Sequence, residues 1–252
     1  MNEIYLSANK NIGEIMREAL FPEDVNFLGI GVSPSFFSAL IVTGVLLLFA
    51  VIVRIFVIPG FKKVPGRFQL LLETLVGFFD DLAKGNSPYH NGYLGAYIFS
   101  AGLFVFFGTL IELLGFRAVM GDLNACVVMG FMSYGVILSG GIRYNKMRGA
   151  MGVLKDFSLP ISMSFRLFGA IIGGVLVTEL IYVAFDVMSK TVVLPIFVAV
   201  MFTIMHAVVQ TYILTLLTSM FFGEAAEPHG KKKKKAKRVK KAASVALGEV
   251  AE

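Results

Sequence analysis

An arginine inside a long apolar segment is the residue of this sequence with the clearest chemical meaning. Arg166 is the only Lys or Arg between residues 161 and 185, a segment long enough to cross a lipid bilayer. Placing a guanidinium at the bilayer centre is unfavourable by at least about 2.5–3.5 kcal/mol, so some interaction must offset that free energy. Either the side chain reaches the lipid headgroups, or a carboxylate on a neighbouring helix approaches it.

Small residues follow Arg166 on the helix that this segment predicts. Gly169, Ala170 and Gly173 come within two turns of it, and at 100° per residue Ala170 and Gly173 lie within about 40° of the arginine. Small side chains let two helices approach closely in a membrane. We therefore expect another helix to meet this face and to bring a carboxylate to Arg166, while the polar Ser162 and Ser164 leave the headgroup alternative open.

Three kinds of polar side chain in apolar surroundings are further candidates for moving an ion. His206 precedes Gln210 by one turn in the last apolar segment, which predicts a polar pair on one helix face. A hydrogen-bonded core residue is the alternative for His206. Glu179 and Glu112 each lie toward the end of an apolar segment. Either carboxylate can line a water-filled path for a cation or reach the lipid headgroups, and the sequence leaves both alternatives open.

The composition indicates a membrane protein. Of 252 residues, 56% are hydrophobic and 16% are charged, and the mean hydropathy is +0.77, so a soluble domain of this length could not hide its apolar residues in a core. A single cysteine, Cys126, excludes an intrachain disulfide, and with three histidines we expect no metal-binding cluster. Phosphate-loop, serine-hydrolase and zinc-protease motifs are absent from the sequence. We expect no catalytic residue, metal or cofactor in this chain.

Five apolar runs predict an all-α, polytopic membrane protein with about five transmembrane helices. They span residues 36–58, 93–116, 123–142, 161–185 and 191–222. Residues 64–84 mix apolar and charged side chains in a pattern typical of a helix that lies on the membrane surface. The predicted organisation is an external N-terminal arm (1–35), a first transmembrane helix (36–58), a cytoplasmic loop with the surface helix (59–92), a transmembrane hairpin (93–142), a cytoplasmic loop (143–160), two long tilted transmembrane helices (161–222) and a basic cytoplasmic tail (223–252).

Lysine and arginine positions predict the orientation in the membrane. Eighteen of the 23 Lys and Arg residues fall in segments 54–91 and 143–155 and in the tail from residue 229, and four fall on the other side. The N-terminus is therefore expected outside and the C-terminus in the cytoplasm. Residues 1–32 lack the apolar run of a signal peptide, and their pattern predicts a short amphipathic helix around residues 12–20.

A run of five lysines, residues 231–235, marks the C-terminal tail. Its position shortly after the last apolar run favours contact with anionic lipid headgroups, because each cation gains about 1 kcal/mol near an acidic leaflet. Binding to nucleic acid is the less favoured alternative, and no nucleic-acid partner is expected. Most of the tail is expected to be disordered.

Two segments resemble signature motifs of the membrane subunit a of F-type ATP synthases. Residues 162–169, Ser-Met-Ser-Phe-Arg-Leu-Phe-Gly, are similar to the family's Ser-Leu-x-x-Arg-Leu-Phe-Gly. Residues 210–218, Gln-Thr-Tyr-Ile-Leu-Thr-Leu-Leu-Thr, resemble its Gln-x-Tyr-Ile-x-x-x-Leu-Thr. Weaker similarities occur at Gln69 with Glu73 and in residues 113–115 and 122–124. Together they cover residues 35–222 in the family's order.

The resemblance implies a stator subunit that translocates ions and has no catalytic activity of its own. Arg166 would face a rotating ring of c subunits, each with a mid-membrane carboxylate that binds H+ or Na+, and residues 161–222 would form the ion path with two offset half-channels. Gly169, Ala170 and Gly173 would face that ring. A guanidinium stays charged and relays no proton, so it would attract the ionised carboxylates and block a direct leak. The implied partners are the c ring, the peripheral stalk b subunits and the remaining ATP synthase, in the bacterial inner membrane.

Two positions depart from the family pattern. The family usually has Asn at the position of Ala170 and Glu at the position of Val175. Glu179 lies one turn beyond Val175, rotated by roughly 40° and displaced by about 6 Å, and is the candidate for a relocated channel carboxylate. With Gln210 and His206 it completes the expected ion-translocation residues around Arg166.

Two other functions remain alternatives. A secondary transporter or channel could bind an anionic substrate at Arg166, although no inverted repeat is visible between the two halves of the sequence. A purely structural membrane scaffold would leave the arginine unexplained.

Overall fold

The computed structural model describes residues 17, 25–27, 30–61, 66–87, 92–188 and 193–227, with only the backbone for residues 25–27, 30, 148, 175, 178–188 and 193–195. The described residues form six α-helices and one short β-hairpin. In chain order the elements are β1 (Val25–Phe27), β2 (Ile30–Val32), α1 (Pro34–Ile52), α2 (Arg67–Asn86), α3 (Gly92–Leu110), α4 (Leu123–Lys155), α5 (Ser158–Met188) and α6 (Val193–Ala226). A π-helical turn, Val53–Val57, and a 3₁₀ turn, Ile58–Gly60, extend α1. Another 3₁₀ turn, Ile111–Leu114, follows α3.

The all-α, polytopic fold class is confirmed. In the described part of the chain, four stretches are long and apolar enough to cross a membrane: Pro34–Gly60, Gly92–Leu114, Leu123–Met147 and Ile196–Ala226. A fifth span is provided if Gly149–Lys155 and Ser158–Gly174, two helical segments that meet at 50°, cross together. At 1.5 Å per residue, the 31 residues of α5 and the 34 of α6 exceed the roughly 30 Å of hydrocarbon, so both helices must tilt or project beyond it.

The β-hairpin before α1 is a feature that the sequence pattern does not predict. Val25 pairs with Val32, and Phe27 pairs with Ile30. The hairpin ends beside Ser33, whose hydroxyl donates a 2.7 Å hydrogen bond to the Asp122 carboxylate just before α4. The starts of α1 and α4 therefore lie on the same side of the membrane. The amphipathic helix expected around residues 12–20 lies outside the described residues except for Arg17, which is helical and exposed.

Helix α4 reverses direction at Lys146. This residue has φ 53° and ψ −140°, a positive-φ conformation that is rare for residues other than glycine and that interrupts the helix. Residues 147–155 fold back along the first part of α4, where the Tyr134 hydroxyl donates a 3.1 Å hydrogen bond to the Val153 carbonyl. The backbones of Gly141 and Gly149 touch because neither residue has a Cβ. Most of the segment 143–160, expected as a loop, is consequently helical.

Helix α5 packs against α4 and α6, helix α6 also packs against α3 and α4, and glycines set how closely α4 approaches α5 and α6. A Cβ added at Gly130 of α4 would lie 2.7 Å from the Pro160 carbonyl oxygen of α5. A Cβ added at Gly140 would lie 2.5 Å from the ring of Phe222 of α6. Side-chain packing of small residues in this way is a main source of stability between helices in lipid. The faces of α5 and α6 that point away from α3 and α4 remain uncovered.

Helix α2 has the amphipathic character expected of a surface helix. The ring of its Phe79 packs against Gly102 of α3, while Leu70, Leu71 and Phe78 are exposed. Asp80 and Lys84 form an ion pair one turn apart on α2, and this hydrogen bond to the carboxylate raises the pKa of Lys84. An apolar cavity of about 840 Å³ is lined by residues of α1, α2 and α3.

Candidate functional site

Arg166 lies on the face of α5 that points away from the helix bundle. Its neighbours Leu167 and Ile171 are buried against the bundle, whereas Arg166 and Phe165 are exposed. In the described part of the chain, no carboxylate forms an ion pair with the guanidinium. The charge therefore sits on an uncovered surface of a helix with apolar neighbours, eight residues from the start of α5, which corresponds to about 12 Å along its axis.

The small residues beside Arg166 leave that surface open. A Cβ added at Gly169 or at Gly173 would meet no atom within 4 Å, in contrast to the tightly packed Gly130 and Gly140. Both glycines are exposed, and Ala170 is half-buried. Since the open glycines have no packing role inside this chain, the flat face around Arg166 has the shape that suits a partner helix.

Helix α6 has a polar face and an apolar face, and the polar face is the buried one. Gln210 is only 3% exposed and lies among the buried hydroxyls of Thr211, Thr215 and Thr218. The Thr215 and Thr218 hydroxyls donate to carbonyl oxygens one turn earlier, Thr211 and Leu214, each over 2.8 Å. The opposite face exposes apolar side chains, namely Met201, Met205, Val208 and Tyr212. Gln210 therefore belongs to the interior, and it does not share the exposed surface of Arg166.

His206 faces a small cavity between α3, α5 and α6. The cavity has a volume of about 20 Å³, enough for roughly one water molecule. Four of the seven residues that line it are polar, namely Thr109, Glu112, Thr203 and His206. The other three are Ile171, Gly174 and Phe202. A Cβ on Gly174 would lie 3.4 Å from the imidazole Nδ1, so the glycine gives the ring its space. The ring also stacks on Phe202, one turn earlier in α6, with centroids 6.3 Å apart.

Glu112 brings a carboxylate into this cavity from the 3₁₀ turn after α3. The turn ends at Gly115, whose φ of 84° is accessible to glycine at little cost. Arg117 and Asp122 in the following connection are close enough for electrostatic interactions, Arg117 with Glu112 and Asp122 with Arg117. Partial burial lowers the pKa of the Arg117 guanidinium, and the two carboxylates oppose that shift.

A second cavity lies toward the other end of α5 and α6. It has a volume of about 80 Å³, and its lining includes the carboxylate residues Asp156 and Glu224 together with Leu159 and Phe221. Asn145 of α4 closes this end of the bundle by donating 2.9 Å hydrogen bonds to the carbonyls of Ala225 and Glu227. Along α5, Leu159 precedes Arg166 and Gly174 follows it, so the two cavities lie on opposite sides of the level of Arg166.

The expected site residues are therefore only partly brought together. The structure exposes Arg166, Gly169 and Gly173 on one surface and places His206 at a cavity behind it. The side chain of Glu179 lies outside the described part of the chain, although its backbone is helical. Thr109 and Thr203 were not singled out from the sequence, and Gly174 was noted only as one of the small residues that follow Arg166. The spacing of three residues between Thr109 and Glu112, and between Thr203 and His206, is the signal that could have pointed to them, because such pairs share a helix face.

Residues 36–223 match the sequence model of a family described as the ATP synthase A chain. The chain belongs to this family. A relative from Parvibaculum lavamentivorans is 26% identical over 196 residues, which cover 66% of this chain and 75% of the relative. A relative from Geotalea daltonii is 26% identical over 218 residues, covering 79% and 93% of the two chains, and one from Vibrio campbellii is 27% identical over 221 residues, covering 73% and 85%. The first two are named ATP synthase subunit a, and the third is named ATP synthase subunit a 2.

Membership of the ATP synthase A chain family confirms the resemblance found in the two sequence motifs. Both motifs, around Arg166 and from Gln210, lie inside the matched range. Together with the apolar helices, the match shows a non-catalytic, multi-pass membrane subunit that associates with the rest of an ATP synthase. It also excludes an unrelated scaffold as the explanation of the fold.

Proposed function

We propose that this subunit translocates H+ or Na+ for its ATP synthase by holding Arg166 against the mid-membrane carboxylates of a rotating c ring. The observation that carries this proposal is the position of Arg166. It is exposed on a membrane helix, in a face of open glycines, and no acid of the described chain pairs with it. Only an external group can then offset the unfavourable transfer of a guanidinium into hydrocarbon.

The chemistry of arginine suits this role better than that of another cation. Its guanidinium keeps its proton in proteins, so it attracts a passing carboxylate without relaying a proton itself. Each c-subunit carboxylate gives up its ion as it meets this charge and takes up another after it leaves. A lysine loses its proton more readily when buried and would hold the charge less reliably.

The two cavities support separate aqueous paths on the two sides of Arg166. One contains Glu112 and His206, and the other contains Asp156 and Glu224. An ion that enters by one path has to ride the ring before it leaves by the other, because Arg166 lies between their levels. One charge that crosses a potential of 100 mV releases about 2.3 kcal/mol, which drives rotation.

The remaining expectations complete the proposal. Gln210 and His206 belong to the ion path within α6, and one of two carboxylates, Glu179 or Glu112, serves the external side of that path. The N-terminus faces outward and the C-terminus faces the cytoplasm of the bacterial inner membrane, where the lysine-rich tail contacts anionic headgroups. The c ring and the peripheral stalk b subunits are the direct partners.

Replacing Arg166 tests the proposal. Arg166→Ala in the complete complex, reconstituted into sealed vesicles, should abolish ATP-driven ion pumping while ATP hydrolysis and assembly persist. Gln210→Ala should reduce coupling less severely because this residue is buried behind the contact surface. Pumping is followed by a fluorescent probe of the ion gradient.

Arg143→Ala is the matched control, since Arg143 is also exposed but lies at the end of a span where headgroups are within reach. It should pump at the normal rate. Normal pumping by Arg166→Ala would contradict the proposal, and transport of an anionic solute by the isolated chain would favour the transporter alternative.

A further inference from the structure

Glu112 and His206 bring a carboxylate and an imidazole to one small cavity inside the transmembrane bundle. Glu112 comes from the turn after α3 and His206 from α6, and α5 closes the space with Ile171 and Gly174. Residues from three helices thus converge on a volume of roughly one water molecule. A void left by imperfect packing between apolar helices would be lined by apolar side chains. Imperfect packing alone therefore does not explain the polar groups at this cavity.

The polar lining continues in both directions from the carboxylate. Thr109 lies one turn before Glu112, and its hydroxyl donates to the Val105 carbonyl over 2.9 Å, which leaves its oxygen free to accept from water. Thr203 lies one turn before His206 on α6. Beyond Glu112, Arg117 and Asp122 lie in the connection between α3 and α4, and Asn124 donates its backbone N–H to Asp122 over 2.9 Å. Charged groups therefore lie in the connection within electrostatic reach of Glu112.

We infer that Glu112, with His206, is the cation-binding station of the external half-channel. This inference rests on the proposed function. Glu112 as a carboxylate binds one cation, either a proton at its oxygen or Na+ through both oxygens, and releases the same cation toward His206 and the ring. His206 carries a proton on its free ring nitrogen or helps to hold the water that hydrates Na+.

The backbone register of α5 favours Glu112 over Glu179 for this role. Gly174 is the residue of α5 that opens space for the imidazole, and position 179 follows it by five residues. At 100° per residue, position 179 lies about 140° around the helix from position 174 and about 7.5 Å further along it. The carboxylate of the inferred cation site thus comes from the turn after α3 and not from α5.

The test compares three Glu→Gln variants of the complete complex in sealed vesicles. The wild type is first tested for ATP synthesis driven by a pH gradient in Na+-free buffer and, separately, by a Na+ gradient. The gradient that drives synthesis in the wild type is then used to measure the variants. Glu112→Gln should lower the rate about 100-fold, the range typical for losing a proton-transfer group, and the external ion concentration for half-maximal rate should rise. Glu179→Gln and Glu73→Gln, a surface change on α2, should remain within about twofold of the wild type.

Wild-type rates in Glu112→Gln, or a comparable loss in Glu179→Gln, would overturn the inference. The proposed function has a separate readout in the same assay, because Arg166→Ala must abolish synthesis whichever carboxylate serves the external path.

Water access gives a second test that does not depend on the stability of Glu112→Gln. Thr203→Cys in a Cys126→Ala background is treated from the external side with Ag+, a thiol-reactive cation of roughly the size of Na+ and small enough for a cavity that holds about one water molecule. We expect labelling and inhibition, whereas Thr218→Cys, at a position only 1% exposed, should not react. Failure of Thr203→Cys to react from that side would contradict an external aqueous path at this cavity.

Discussion

Glycines of α4 and α5 have opposite surroundings. Gly130 and Gly140 are sites where neighbouring helices touch, whereas Gly169 and Gly173 border open space. A sequence shows only that all four are glycines. The structure separates those that hold this chain together from those that can admit a partner.

Gly173→Leu tests the open face at the level of a single residue. The leucine should fit the isolated subunit without strain, because no atom lies within 4 Å of an added Cβ. It should nevertheless push the c ring away from Arg166 and lower ATP-driven pumping by about 100-fold, the loss that a displacement of about 1 Å can cause. Gly44→Leu on exposed α1 is the control and should pump normally. Equal pumping by the two variants would show that the ring does not meet this face.

The sequence alone singles out Arg166 as the central candidate, but it does not distinguish the carboxylate that we propose to serve it. Arg166 stands out because a cation in a long apolar run is unfavourable anywhere in a bilayer. Glu112 and Glu179 carry no such distinction, since both lie near the ends of apolar runs where headgroups are an equal explanation. Only the packing of α3, α5 and α6 places Glu112 beside His206.

At the level of elements, the approach of α4 to α5 determines where Arg166 lies. Pro160 and Ser164 of α5 contact Gly130 of α4 two to six residues before the arginine. The Ser164 hydroxyl donates to the Pro160 carbonyl over 2.7 Å, so the first turn of α5 is fixed both internally and against its neighbour. Any side chain at Gly130 would displace this turn.

A pair of glycine substitutions on α4 tests this contact. Gly130→Ala should destabilise the subunit by about 1–3 kcal/mol, as overpacking of a tight interior does. Gly135→Ala, where an added Cβ meets nothing within 4 Å, should instead stabilise it by about 0.5–1 kcal/mol through helix propensity. The thermal unfolding midpoints of the two purified variants should move in opposite directions. A shift in the same direction would contradict the packing of α4 on α5.

The spans follow from apolar runs, but two local elements do not. Apolar periodicity places the transmembrane helices because lipid requires about 20 apolar residues in each. The reversal at Lys146 could not be predicted, because no glycine stands at this position. A positive φ with ψ of −140° is disfavoured for lysine by about 1–3 kcal/mol, and contacts between residues distant in sequence, such as Tyr134 with Val153, accompany it. The hairpin before α1 has strands of only three residues, too short for a period of two to be recognised.

At the scale of the whole molecule, contacts between distant segments fix which ends lie together. Ser33 is hydrogen-bonded to Asp122 at one end, and Asn145 binds the C-terminal carbonyls of α6 at the other. Both contacts agree with the alternating crossing that the apolar runs predict. The uncovered faces of α5 and α6 lie side by side beyond this bundle.

Purification tests whether these faces belong to an assembly. The tagged chain, extracted in mild detergent, should bring with it a c ring and peripheral stalk subunits in fixed amounts. Arg166→Ala should still do so, because we expect the exposed apolar side chains of α6 to provide most of the interface. A chain that is recovered alone and still transports solute after reconstitution would identify a transporter instead.

Before assembly, the guanidinium of Arg166 has only water and lipid headgroups to solvate it. A newly inserted copy must draw these toward its exposed α5 surface, which locally thins the bilayer and strains the surrounding lipid. In the proposed assembly a c-subunit carboxylate takes the place of that water and the deformation disappears, so we expect an unassembled copy to be less stable in the membrane than an assembled one.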